Sequence, residues 1–286
     1  MTQPDRTTTP TDGEHPTDGG PSQLLDVEQV LASIDTMAAN KPVAAQVVAM
    51  TSAEDAGAKE LATILAGDLA LAGRVMKLAN SAYYGMRGRV SSLQFAISVV
   101  GFMTVRTLAT VSLTDLDDES RLPDDFWFTS THVGQAAATV APRFGERPPD
   151  ALCLGMLSQM GAALLHHNDP QGHPVLVGQH PDLPGRRMAE QQRYGVHGVR
   201  LSAVALDHWG FPRRMVTALD CLDDLLAPEG ALLRVAFEVA ARLAGTGHTP
   251  VPIGRLCRGL LTEEQLESVT ERVRVEATEL RIAMVG

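Results

Sequence analysis

Histidine and carboxylate side chains gather in two short stretches of this chain: His166, His167, Asp169 and His173 in the first, and His197, Asp207 and His208 in the second. Imidazole and carboxylate together can hold a divalent cation, and a bound cation lowers the pKa of its water enough to supply hydroxide at neutral pH. The spacing argues against that use. Adjacent residues on an α-helix diverge by about 100°, so His166 and His167 do not readily face one ion. The first cluster also falls at the predicted end of a helix, where polar and cationic side chains meet the last carbonyls. A structural or solvent-facing role is therefore expected, and His197, which opens a helical segment, is expected to pack or cap. No GxSxG, GxxxxGK[ST], HExxH or GxGxxG occurs with supporting context.

The second constellation is electrostatic. Leu69 through Thr114 contains no acidic residue, while Arg74, Lys77, Arg87, Arg89 and Arg106 are positive, in a chain of formal net charge -10. Inside this basic island lies Asn80-Ser81-Ala82-Tyr83-Tyr84-Gly85. Read structurally, this is a helix-ending corner: Asn80 bonds free carbonyls, Ser81 caps the next turn, and the tyrosines wedge between helices with hydroxyls at the rim. Read functionally, Arg74, Arg87 and Arg89 form a fork for phosphate or carboxylate and Tyr84 is a stacking surface. The two readings are compatible. Arg74, Lys77, Asn80, Ser81, Tyr84, Arg87 and Arg89 are the candidate ligand- or partner-binding residues.

Helices must position these groups. Leu24, Val27, Leu31 and Ile34 recur at helical spacing, and Pro42 suits the first turn of PVAAQVVAM. Ser52 or Asp55 is expected to cap the next helix, Asp68 caps LALAGRVMKLAN, and Ser91 caps the helix carrying Leu93, Ile97 and Val100. FWFTSTHVGQAAATVAPRF reads as one helix and PPDALCLGMLSQMGAALLHH as another, mostly buried. Gln171 to Gly185, dense in Gly, Pro and His, reads as a loop. MAEQQRYG, HGVRLSAVALDHWG and PRRMVTALDCLDDLL follow as helices. Thr262 opens a T-E-E-Q capping box, after which Leu266, Val269, Val273, Ala277 and Leu280 line one face. That face is expected to dock on its own domain, with a homodimer through the C-terminal helices as the alternative.

Composition agrees with an all-α chain. Aromatics make up 4% of residues, so Ala, Leu and Val carry the apolar load, and no alternating strand pattern of any length occurs. A pI near 5.3 argues against general nucleic-acid binding. Cys153, Cys221 and Cys257 are odd in number and widely spaced, which suits a reducing, cytoplasmic setting. No apolar run approaches the ~18 residues of a membrane span, and the N-terminus lacks a basic-then-apolar secretory pattern. Residues 1–22, rich in Thr, Pro, Asp and Gly, read as a disordered tail. The acidic DLDDESRLPDD reads as a linker between two helical halves.

GDLALAGRVMKLANSAYYG, VSSLQFAISVVGFMTVRTLA, FW before a helix, and YGVHGVRLSAVALDHWGFP together resemble the HDOD family, the HD-related output domain of bacterial signalling proteins. The resemblance spans roughly residues 35 to 225. It implies an all-helical domain over residues 23–228 related to HD-type phosphohydrolases, with residues 229–286 as extra C-terminal helices. It also implies a regulatory role, often alongside cyclic-di-GMP modules. No GGDEF, EAL or receiver segment is recognisable. An HD phosphohydrolase brings a His from one helix, a His-Asp pair from another and a further Asp onto a metal. By resemblance the pair falls on Ser158 and Gln159, and the early His on Thr129, with His132 one turn later. Ser and Gln are weak divalent-metal ligands, so the expectation is a module with no catalytic residues, no metal and no cofactor. It would bind a signalling protein, with no membrane contact. The alternatives are a divergent metal-dependent phosphohydrolase of nucleotides or cyclic dinucleotides, and a cyclic-di-GMP receptor without hydrolysis.

Overall fold

The computed structural model describes residues 24–51, 57–113, 122–246 and 250–285. The predicted tail and most of the acidic linker lie outside these residues, as do Ser52 and Asp55. Every regular element among the described residues is helical.

The first half is built from α1 (Val27–Asn40), α2 (Pro42–Thr51), α3 (Ala58–Leu65), α4 (Leu69–Ala79), α5 (Leu93–Val100) and α6 (Phe102–Leu113). Asp26 caps α1 and Asp68 caps α4, each carboxylate accepting two backbone N–H groups of the first turn. Such caps answer donors that the helix itself leaves without partners. The cap of α5 is Ser92, whose hydroxyl accepts the Phe95 N–H at 3.2 Å, one residue later than the expected Ser91. Gly57 precedes α3 without a side-chain cap. Gly101, at φ 85°, makes the bend between α5 and α6 that a residue with a Cβ would resist.

The second half comprises α7 (Phe126–Val140), α8 (Pro148–Leu157), α9 (Met160–Asn168), α10 (Gly172–Gln179), α11 (Leu183–Tyr194), α12 (Gly198–His208), α13 (Arg213–Asp220), α14 (Ala231–Ala244), α15 (Ile253–Leu256) and α16 (Glu263–Val285). Two expectations are corrected here. The single helix read from Pro148 to His167 is broken at Ser158–Gln159 into α8 and α9. Most of the loop read at Gln171–Gly185 is helix α10, followed by the start of α11. Pro174 sits in the first turn of α10, where its missing N–H costs nothing, and Asp169 accepts the Gly172 N–H at 2.8 Å.

Helix α7 is the hub. It packs against α8, α14 and α16, while α9 packs on α12, α2 on α6, and α4 on α5. The capping box before α16 forms as read, with Thr262 and Gln265 bonding each other's backbone N–H at 3.1 and 3.3 Å. Leu266, Val269, Val273 and Ala277 of α16 join the core around α7, and Leu280, Ala283 and Met284 join the core of α2–α6. The apolar face of α16 is thus spent within the chain. Helices α14 and α16 thus share their cores with helices of the preceding segment. Among the described residues no single helix is long and apolar enough to cross a membrane.

Candidate functional site

The corner after α4 is held by one side chain. Asn80 ends the helix; its Nδ2 donates to the carbonyls of Met76 at 3.1 Å and Val90 at 2.9 Å, and its Oδ1 accepts the Val90 N–H at 3.0 Å. This amide therefore closes residues 81–89 into a loop whose ends are fixed to each other. A one-turn 3-10 segment, Ala82–Tyr84, follows, and Gly85 at φ 65° reverses the chain. Ser81 stands at the start of that turn, but its hydroxyl makes no capping bond. Tyr83 and Tyr84 meet edge to face at 4.9 Å. The Tyr84 hydroxyl is buried, not at the rim as expected, and burial pushes its pKa up.

The loop exposes Arg87 and Arg89, with Lys77 exposed and Arg74 half-buried on α4. Among the described residues no ion pair involves Arg87 or Arg89. Arg106 does not belong to this surface. It is buried, its guanidinium lies 3.9 Å from the Phe211 ring centre, and Nη2 donates to the Trp209 carbonyl at 2.7 Å. Burial lowers its pKa to about 10, and its task is to tie α6 to the α12–α13 connection.

Ser158 and Gln159 are buried at the α8–α9 break. Ser158 Oγ donates to the Gly155 carbonyl at 2.6 Å, and Gln159 Nε2 donates to Ser158 Oγ at 3.2 Å. Ser202 of α12 accepts the Gly161 N–H at 2.8 Å and donates to the Ser158 carbonyl at 2.9 Å. Gly161 and Gly198 allow this approach, since a Cβ on Gly161 would collide with the Gly198 carbonyl. Thr129 is buried and reaches Asp125 at 3.4 Å. His132 donates Nδ1–H to the Phe128 carbonyl at 2.7 Å and stacks on the Phe128 ring at 3.9 Å. Burial lowers its pKa, and among the described residues no hydrogen bond joins it to Ser158 or Gln159.

The histidine cluster is a buried polar network. His166 and His173 are buried with rings perpendicular at 5.8 Å, while His167 points to solvent, as the helical divergence requires. His173 Nε2 lies 3.2 Å from Glu190 Oε1, and Glu190 Oε2 accepts the Gly198 N–H at 2.7 Å. Asp169 accepts from the Tyr194 hydroxyl and Arg193 Nη2, both at 2.9 Å. His197 caps α12 through Nδ1, which accepts the Arg200 N–H at 3.3 Å, and its Nε2 faces Asp223 at 3.4 Å. Among the described residues no three His, Cys, Asp or Glu side chains converge as a metal site would require.

Sequence reasoning missed Gln135 of α7 and Glu276 of α16, which bond across 141 residues of chain beside the corner. Glu276 was one unremarkable member of a charged helix, and only the docking of α16 reveals its position.

A family model described as HDOD domain matches residues 37–225. No curated protein sequence matches the chain. Several solved structures share its fold at 20% identity. An HDOD domain protein of unknown function from Geobacter sulfurreducens superposes at TM-score 0.62, covering 91% of this chain and 98% of its own. A protein from Shewanella amazonensis SB2B that carries the name phosphohydrolase gives 0.64, covering 85% and 93%. One from Marinobacter aquaeolei VT8 that carries the name signal transduction protein gives 0.67, covering 86% of this chain and 59% of its own.

Proposed function

The chain belongs to the HDOD family, and from that premise we propose that it is a non-catalytic regulatory module of bacterial signalling that acts in the cytosol by binding another protein. One observation carries the reading. At the position where, by resemblance, an HD hydrolase would carry its His-Asp pair, Ser158 and Gln159 turn inward, hydrogen-bond locally and seat the α9–α12 contact. Neither residue type is a strong donor to a divalent cation, and both sit in a helix break closed by two glycines. A Ser-Gln pair does not fit a divalent metal.

The surface best suited to a partner is the loop pinned by Asn80. It holds Arg87 and Arg89 on a rigid base, and planar guanidinium groups recognise carboxylates in bidentate geometry. The chain's overall acidity makes this patch the place where an acidic surface meets least repulsion. The test is affinity capture from the native host, with wild type and the Arg87→Ala/Arg89→Ala double variant side by side. The expected result is an acidic protein retained by wild type, lost by the variant and released by moderate salt. Equal retention of every captured protein by both forms would remove this patch from the account.

A further inference from the structure

A cavity lies away from the corner, where α11 and the α13–α14 connection meet α14 and α15. Its volume is about 200 Å³, more than the ~150 Å³ in which walls of Leu, Ile and Phe take up benzene. Buried Leu183, Leu222, Phe237 and Leu256 form its apolar walls. Helices α14 and α15 follow the family-matched segment 37–225, so part of the wall is supplied by chain outside that segment.

Charged groups also line it, and Arg187 is the one left with donors open to solvent. Arg234 is buried, and each of its guanidinium nitrogens bonds a main-chain carbonyl: Nε that of Leu256 at 3.2 Å, Nη1 that of Asp224 at 2.7 Å and Nη2 that of Ala227 at 2.7 Å. Glu238 is buried, and its Oε1 accepts Arg242 Nε at 2.8 Å. Asp223 stands exposed at the rim; its Oδ1 accepts Arg187 Nη2 at 2.9 Å, and its Oδ2 faces His197 Nε2 at 3.4 Å. That is the single hydrogen bond of Arg187 among the described residues. The Arg187 side chain is 18% exposed, and its unpaired nitrogens are open to solvent. Its guanidinium carbon stands 5.8 Å from the centre of the Phe237 ring, within cation–π range, so a planar two-pronged donor is held over the apolar wall.

We propose that this pocket binds a small aromatic monocarboxylic acid. The ring fills the space between Leu183, Leu222 and Leu256 and packs on Phe237, and the carboxylate accepts two parallel hydrogen bonds from Arg187. Apolar walls with one well-placed charged group are the usual make-up of a small-molecule site. Asp223 competes with the ligand for the same guanidinium, and an exposed carboxylate gives way at little cost. The site is separate from the loop at Arg87 and Arg89, and it stands whether or not that loop binds a partner.

The experiment is isothermal titration of the full chain with phenylacetate, using 2-phenylethanol as the neutral counterpart and acetate as the anion without a ring. The expected result is saturable one-to-one binding of phenylacetate, binding of the alcohol weaker by about tenfold or more, and none of acetate. Arg187→Met, which keeps an apolar stem over Phe237, should weaken phenylacetate about tenfold or more, as losing a charged hydrogen bond does. Asp223→Asn, at an exposed position where folding is not at stake, should instead tighten it about two- to fivefold, the worth of an exposed charge pair. Absence of saturable phenylacetate binding, equal binding of the alcohol or of acetate, unchanged affinity in Arg187→Met, or unchanged or weaker binding by Asp223→Asn would each overturn the proposal.

Discussion

Asn80 shows how one side chain can decide local structure. Its identity marked a helix end in the sequence, and the structure places it there. The sequence did not disclose that the same amide also clamps Val90, because that bond spans ten residues. Asn80→Ala should lower stability by about 1–3 kcal/mol, the cost of losing its bonds and leaving the Val90 N–H without an acceptor. Urea unfolding checks this, and an unchanged midpoint would contradict the clamp. Arg106 teaches the opposite lesson. Counting charges put it in the basic island, but charge alone carries no information on direction, and tertiary packing turned it onto Phe211.

Asp169 is one residue through which stability should respond to acid. Burial alone would raise its carboxyl, but the Gly172 N–H, Arg193 and Tyr194 all donate to it and together hold it below its ordinary value. A carboxylate depressed in the folded state stabilises above its unfolded pKa, and that stabilisation is lost as pH falls through the folded value. Stability should therefore drop on acidification below about pH 4. Asp169→Asn should be less stable near neutrality and should show a shallower loss over that acidic range. Urea midpoints measured as a function of pH test this; identical slopes for both proteins would contradict it.

Helices were legible where periodicity and caps coincided. Asp68 and the Thr262–Gln265 box are local signals, and each sits where the sequence places it. The α8–α9 break was not legible, because Leu, Met, Gly and Ala run through it without a breaker. Its cause lies on α12, in Gly198 and Ser202. Helix α10 was hidden by its own Gly, Pro and His content. Helix α16 was legible as an amphipathic face but not in its destination. With that face buried, a homodimer through the C-terminal helices would have to use the outer side, where Val275 and Ile282 are exposed. Leu280→Ala should cost about 2–5 kcal/mol, whereas Ile282→Ser should stay within about 0.5 kcal/mol in the monomer. Denaturation of both variants checks the docking, and a cost at Ile282 comparable to that at Leu280 would reverse the assignment of faces.

At the scale of the whole molecule, α16 joins two cores that the family match alone would leave to residues 37–225. It thereby braces the corner that displays Arg87 and Arg89. The fold class and family were readable because they rest on ordered local motifs. The cavity beside Phe237 was not, because it depends on where distant helices dock. The proposed function rests on Ser158 and Gln159 standing in place of metal ligands, and metal content read together with turnover tests that most directly. The purified chain would be equilibrated with Mn, Fe and Zn, desalted, analysed for bound metal and assayed against phosphodiesters. Substoichiometric metal and no turnover are predicted. A stoichiometric ion, held tightly and hydrolysing phosphodiesters, would contradict the account at its centre.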